Sequence, residues 1–199
     1  MMMTTLKRNR RSGHRASRGL GMIELMMAMA ILLVGLTALM GLCVVATYST
    51  NRASKDTSAT LLAQMVLEQI SSQHPDSTAT ITLTDCANAA HTVATAGGAA
   101  PGGTGATVNG TASSPAYGMI DWSQGAAAIP ANYSMNYIDC GVNGHQTAYE
   151  VRWNIITVSA NETRMIVVSA RQLTSVNTTA GGDGLRFALP VTLRGIGGP

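Results

Sequence analysis

The chain has 199 residues, room for one long element and one domain of modest core, and 13 Lys and Arg against 10 Asp and Glu give it a formal charge of +3. Six of those basic residues, Lys7, Arg8, Arg10, Arg11, Arg15 and Arg18, fall in the first 19 positions, which hold no acid. The remainder carries seven basic and ten acidic side chains, which leaves no basic patch for nucleic acid.

Behind this basic leader, no residue from Leu25 to Asn51 is charged, and Leu25 to Tyr48 is almost continuously apolar or small. As a helix rising about 1.5 Å per residue, it is long enough to cross a bilayer core. The basic leader stays in the cytoplasm and the bulk of the chain is exported, N-in and C-out. A secretory signal peptide has a shorter apolar core and a small-x-small cleavage site, whereas this run continues past Ala46. Glu24 stands just inside the run, where an unpaired carboxylate is costly and usually functional.

The segment Arg18-Gly19-Leu20-Gly21-Met22-Ile23-Glu24-Leu25 resembles the start of type IV pilins and their pilin-like relatives. Prepilins of that family have a short basic leader, a glycine before the cut, and a glutamate at the fifth mature position. The resemblance implies cleavage between Gly19 and Leu20 by a prepilin peptidase, N-methylation of Leu20, and an assembly role for Glu24. The glutamate would meet the terminal amine of a neighbouring subunit, since opposite charges in low dielectric are tolerated only when paired. A cut after Gly21 would make Glu24 the third residue and break the spacing.

Three positions depart from the family pattern. Leu20 replaces the commoner phenylalanine or methionine, Gly21 stands where a small hydroxyl residue is frequent, and Gly41 falls where many major pilins have proline. Gly35 and Gly41 each weaken a helix by about 1 kcal/mol relative to alanine. The runs Ile31–Leu36 and Leu61–Ile70 look most like the PilV type of minor pilin.

The implied fold class is α+β, the pilin fold, with a long N-terminal helix packed on a small antiparallel sheet. Its divisions are a removable leader (1–19), a membrane and filament-core helix (20–48), an amphipathic continuation (49–73) and an exported globular domain (74–199). Leu61, Leu62, Met65, Val66 and Ile70 recur at helical spacing, and the helix is expected from about Leu20 to Ser72, stopping before His74-Pro75. Ala79 to Leu83 reads as a short strand. Residues 87–118 are mostly Ala, Gly, Thr and Ser, too poor in apolar surface to repay ordering, and are expected to form a flexible loop.

A sheet is expected over 146–195. Tyr149, Val151, Trp153 and Ile155 alternate with Glu150, Arg152 and Asn154, the pattern of a strand with one buried face. Ser159 to Glu162 makes a turn and Arg164 to Gln172 returns, forming a hairpin. Leu185 to Leu193 alternates as a last strand, which Pro190 places at an edge. That gives three or four antiparallel strands on the second half of the helix.

Cys43 lies in the membrane helix as a packing residue. Cys86 and Cys140 both belong to the exported domain, where an oxidising periplasm favours a disulfide between them. Free thiols or a metal site are the alternatives; His91 and His145 follow each cysteine by five positions, a weak zinc spacing. Tyr117 and Trp122 are either partner-contacting loop residues or covered under the sheet edge. No Ser-His-Asp or paired-carboxylate arrangement can be recognised by spacing, so a non-enzymatic role without a cofactor is expected.

The resemblance implies a minor type IV pilin that enters or primes a pilus and serves biogenesis, adhesion or motility. Its partners would be prepilin peptidase, other major and minor pilins through the N-terminal helix, and the inner membrane platform of the machine. Its place would be the bacterial inner membrane and then the pilus or cell surface. A pseudopilin of a type II secretion system shares these features, and a membrane-anchored binding domain that never polymerises is the reading from another class.

Overall fold

The computed structural model describes residues 21–110, 114, 117–141, 144, 146–159, 163–173 and 189–197. The leader 1–19, Gly19, Leu20, the turn residues 160–162, His145 and residues 185–188 lie outside the described residues. The chain divides into two units, residues 1–48 and 49–199.

Helix α1 (Met22–Ser71) begins within two residues of the expected start and ends one residue before the expected stop. Its membrane-length part is rich in Leu, Met and Ala, and it runs unbroken through Gly35 and Gly41. Threonine hydroxyls there return to the backbone, Thr37 Oγ1 to the Val34 carbonyl at 2.9 Å and Thr47 Oγ1 to that of Val44 at 2.9 Å. Such internal bonding satisfies the hydroxyls without water, as a hydrocarbon setting requires. Every residue from 21 to 55 is exposed in the single chain.

In the second unit, Ala59, Leu62, Ala63, Val66 and Ile70 of α1 are buried in the hydrophobic core. Strands β1 (Thr80–Thr84) and β2 (Ala90–Ala94) pair antiparallel as a two-stranded hairpin. They are followed by β3 (Gly98–Ala99), β4 (Thr104–Gly105), β5 (Ser134–Cys140), β6 (Gln146–Ser159), β7 (Thr163–Gln172) and β8 (Val191–Gly197). These six form one sheet in the order β3-β6-β7-β8, with β4 and β5 also paired to β6. The class is α+β, as expected, but the sheet is mixed, because β3 runs parallel to β6. Among the described residues six strands, not three or four, make it.

Three expectations need correction. Residues 87–118 are not a flexible loop throughout: they hold β2, β3 and β4, and Val93, Thr95 and Ala106 are fully buried. Small residues are there because the backbone lies directly against β6. A Cβ on Gly105, whose φ is +122°, would fall 2.2 Å from the Trp153 carbonyl oxygen.

The second correction concerns β6, which is covered on both faces. Tyr149, Val151, Trp153 and Ile155 enter the core as expected, but Glu150, Arg152 and Asn154 are buried too. The segment that carries β4 and its flanking turns supplies partners to Asn154 and Arg152, while Glu150 is held by Arg152 and Arg171. Asn154 Nδ2 donates to the Gly102 and Ala106 carbonyls, and Arg152 donates to that of Gln124 at 2.7 Å. Finally, the last described strand starts after Pro190, so the proline precedes β8 and removes none of its ladder bonds.

Core polar atoms are tied across elements. Trp153 Nε1 donates to the Ala94 carbonyl at 3.0 Å, and Tyr133 Oη to that of Ala96 at 2.6 Å. Arg164 on β7 is fully buried and has carbonyl acceptors around it: Ile70 and Gln73 at the end of α1 and Thr95 after β2. A cation donating to the last carbonyls of a helix meets both their bonding need and the negative end of the dipole.

Candidate functional site

Glu24 sits in the first turn of α1, its amide donating to the Gly21 carbonyl at 2.9 Å. It is the single charged residue between Gly21 and Asn51. Around and beyond it Met22, Ile23, Met26, Met27, Ile31, Leu32, Val34 and Met40 are each 60% exposed or more. Twenty-seven residues from Met22 to Tyr48 rise roughly 40 Å, more than a bilayer core of about 30 Å. One carboxylate at the head of such a surface can pair with a cation, while the apolar side chains can be covered by lipid or by other helices.

In the globular unit Cys86 and Cys140 form a disulfide, with an S–S distance of 2.07 Å. Next to it Asp85, buried, organises the turn between β1 and β2. Its Oδ1 accepts the amides of Ala87 (2.9 Å) and Ala89 (2.8 Å), and its Oδ2 meets His91 Nε2 at 3.0 Å and the Ile138 amide at 3.4 Å. The His91 bond, then the backbone amides, hold the carboxyl below the usual carboxylate range, with burial opposing them. Asn88, with φ +66°, completes the turn in the left-handed region that Asn tolerates. His91, five positions after Cys86, is thus bonded to Asp85. Among the described residues no three His, Cys, Asp or Glu side chains gather as a metal group.

Trp122 is half-buried between two guanidinium groups, Arg152 at 4.5 Å and Arg171 at 4.2 Å from the ring, and donates to Ser169 Oγ at 3.1 Å. Glu150 accepts from both arginines, at 2.7 Å from Arg152 Nε and 2.8 Å from Arg171. A carboxylate held by two cations is a structural anchor for the covering segment, not a free base. Tyr117 is 54% exposed at the tip of the same segment. Asp85 and the arginine pair around Trp122 were not read from the sequence. The signal for the arginine pair is the charged residues inside the apolar β6 pattern, and Asp85 shows only as a turn residue beside a cysteine.

With that geometry in place, comparison with known proteins adds one finding: the profile of the prokaryotic N-terminal methylation motif matches residues 14–40. This is the type IV prepilin signature, and it supports a type IV pilin-like or pseudopilin-like protein. The signature implies processing by prepilin peptidase and assembly with other pilins, and with the apolar helix it fits a membrane-anchored protein. The matched residues hold Gly19, Leu20 and Glu24 and the first two thirds of the apolar run. No curated protein and no solved structure matches the chain.

Proposed function

We propose that this chain is a minor type IV pilin, a non-enzymatic subunit that enters or primes a pilus. The observation carrying the reading is Glu24, alone in charge at the head of an exposed apolar helix, inside the matched methylation motif. Cleavage between Gly19 and Leu20 and methylation of Leu20 create the cationic amine that Glu24 of a neighbour pairs with. Other pilins pack on the apolar helix, the inner membrane platform moves the subunit outward, and the globular unit faces the periplasm and then the cell surface.

The test is the intact mass and N-terminus of the chain from membranes of cells with and without prepilin peptidase. A start at methylated Leu20 only when the peptidase is present supports the reading; an uncut start at Met1 in both overturns it. The sheared filament fraction then decides the machine. Recovery with pilus filaments marks a pilin, and recovery only with a secretion machine marks a pseudopilin.

A further inference from the structure

The two long edges of the sheet differ. At the β5 edge, the Cys86 amide donates to the Ile138 carbonyl, the Ile138 amide meets Asp85, the Ala94 amide donates to the Asn132 carbonyl, and the disulfide closes the end at Cys140. The hairpin β1–β2 therefore covers that edge. Strand β8 lies at the opposite end of the order and pairs with β7 alone among the described residues.

Which β8 groups face outward follows from the ladder. The Trp153 amide donates to the Tyr133 carbonyl and the Trp153 carbonyl accepts from the Ala106 amide, so both backbone groups of Trp153 point away from β7. Antiparallel alternation then turns Arg152 and Asn154 toward β7, and Ile166, Val168 and Ala170 toward β8. This leaves the amides and carbonyls of Thr192, Arg194 and Ile196 pointing off the sheet. No described backbone group bonds to them. Among the described residues, β8 has no proline, no lysine and no break in its seven-pair register with β7, and Arg194 is its one charge.

We propose that this edge receives an extended strand from a different exported subunit, adding a strand to the sheet. The proposal rests on the pilin reading for the supply of neighbouring subunits. A row of alternating donors and acceptors fits extended backbone. A second copy of this chain is a poor occupant, because its β5 edge is covered and β8 against β8 would close a two-fold pair that cannot continue along a filament. The side chains state the rest of the chemistry. Arg194 is exposed, with one donor used on the Tyr117 carbonyl at 2.8 Å, and two positions on Ile196 is 78% exposed. The incoming strand thus carries a carboxylate opposite Arg194 and an apolar side chain opposite Ile196, at period two.

Amide hydrogen exchange on the full-length chain tests this, in membranes and sheared filaments from cells making the complete set of prepilins and from cells making this chain alone. The amides of Thr192, Arg194 and Ile196 should slow by roughly 100-fold only with the complete set. Ile196→Pro removes an outward amide and no bond to β7, and Ile196→Lys adds an edge charge. Both should lose that protection while the amides of β6 and β7 stay unchanged. Equal, fast exchange in both cells overturns the proposal, as does equal protection in the chain alone, where its own residues or a second copy would be the occupant. Protection in a chain that never enters filaments keeps the edge and overturns the pilus reading; a filament subunit without protection overturns the edge alone.

Discussion

Replacing Arg164 by alanine leaves the carbonyls of Gln73 and Thr95 without this donor and that of Ile70 with the Gln73 amide alone, a loss of about 4 kcal/mol. Arg164→Lys keeps the charge, but one ammonium cannot reach carbonyls spread over two elements as a planar fork does, and about 2 kcal/mol should be lost. Urea unfolding of both variants checks the order, and a lysine variant as stable as the parent would refute the clamp. Asp85 makes a pH prediction. Its folded pKa lies below the unfolded value of about 3.9, so its contribution is present above that pH and is lost as pH falls through the folded pKa. Asp85→Asn should therefore be less stable than the parent at pH 7, with the gap in melting temperature shrinking below about pH 4. A gap constant from pH 7 to 3 would rule out the ionised carboxylate as the cause.

At the level of elements, the long helix was legible because its signals are local: an uncharged apolar run, then a stripe at helical spacing, then proline. Strands β6 and β7 were legible for a similar reason, β6 by its period-two pattern and β7 by its β-branched residues after a turn. The 87–118 segment was misread because composition counts side-chain area, whereas here glycine and alanine let one backbone lie on another. Strand β5 shows a faint alternation, with Met135 and Tyr137 on the core side, hidden by Asn136 and Asp139. The correction makes a contrast that can be measured. Gly105→Ala sets a Cβ 2.2 Å from the Trp153 carbonyl oxygen at φ +122° and should cost about 3 kcal/mol. Gly102→Ala, three residues earlier, meets open space and should stay within about 0.5 kcal/mol of the parent. Equal small effects in thermal unfolding would restore the flexible loop.

For the whole molecule, the proposed assembly role and folding are separable because they draw on different residues. Glu24 belongs to the unit of residues 1–48, while the buried core lies in residues 49–199. Gly19, Leu20 and Glu24 were legible as members of the methylation motif that the family profile matches, whereas the sheet edge was not, because an edge is a property of strand order, set by pairings distant in sequence. Glu24→Ala should leave the melting temperature of the globular unit unchanged, since no core contact is lost. In the proposed pairing the same change leaves a neighbour's terminal amine without its carboxylate in low dielectric, a cost of about 3 kcal/mol, so incorporation should fall by about 100-fold. Glu24→Asp keeps the charge on a shorter arm and should recover part of it. Quantifying the chain in sheared filaments against the membrane fraction, alongside its thermal unfolding in detergent, reads both quantities in one preparation. Filament entry at the parental level in Glu24→Ala would reduce the carboxylate to a passenger of the membrane anchor. A fall in melting temperature together with incorporation would instead make its role one of folding.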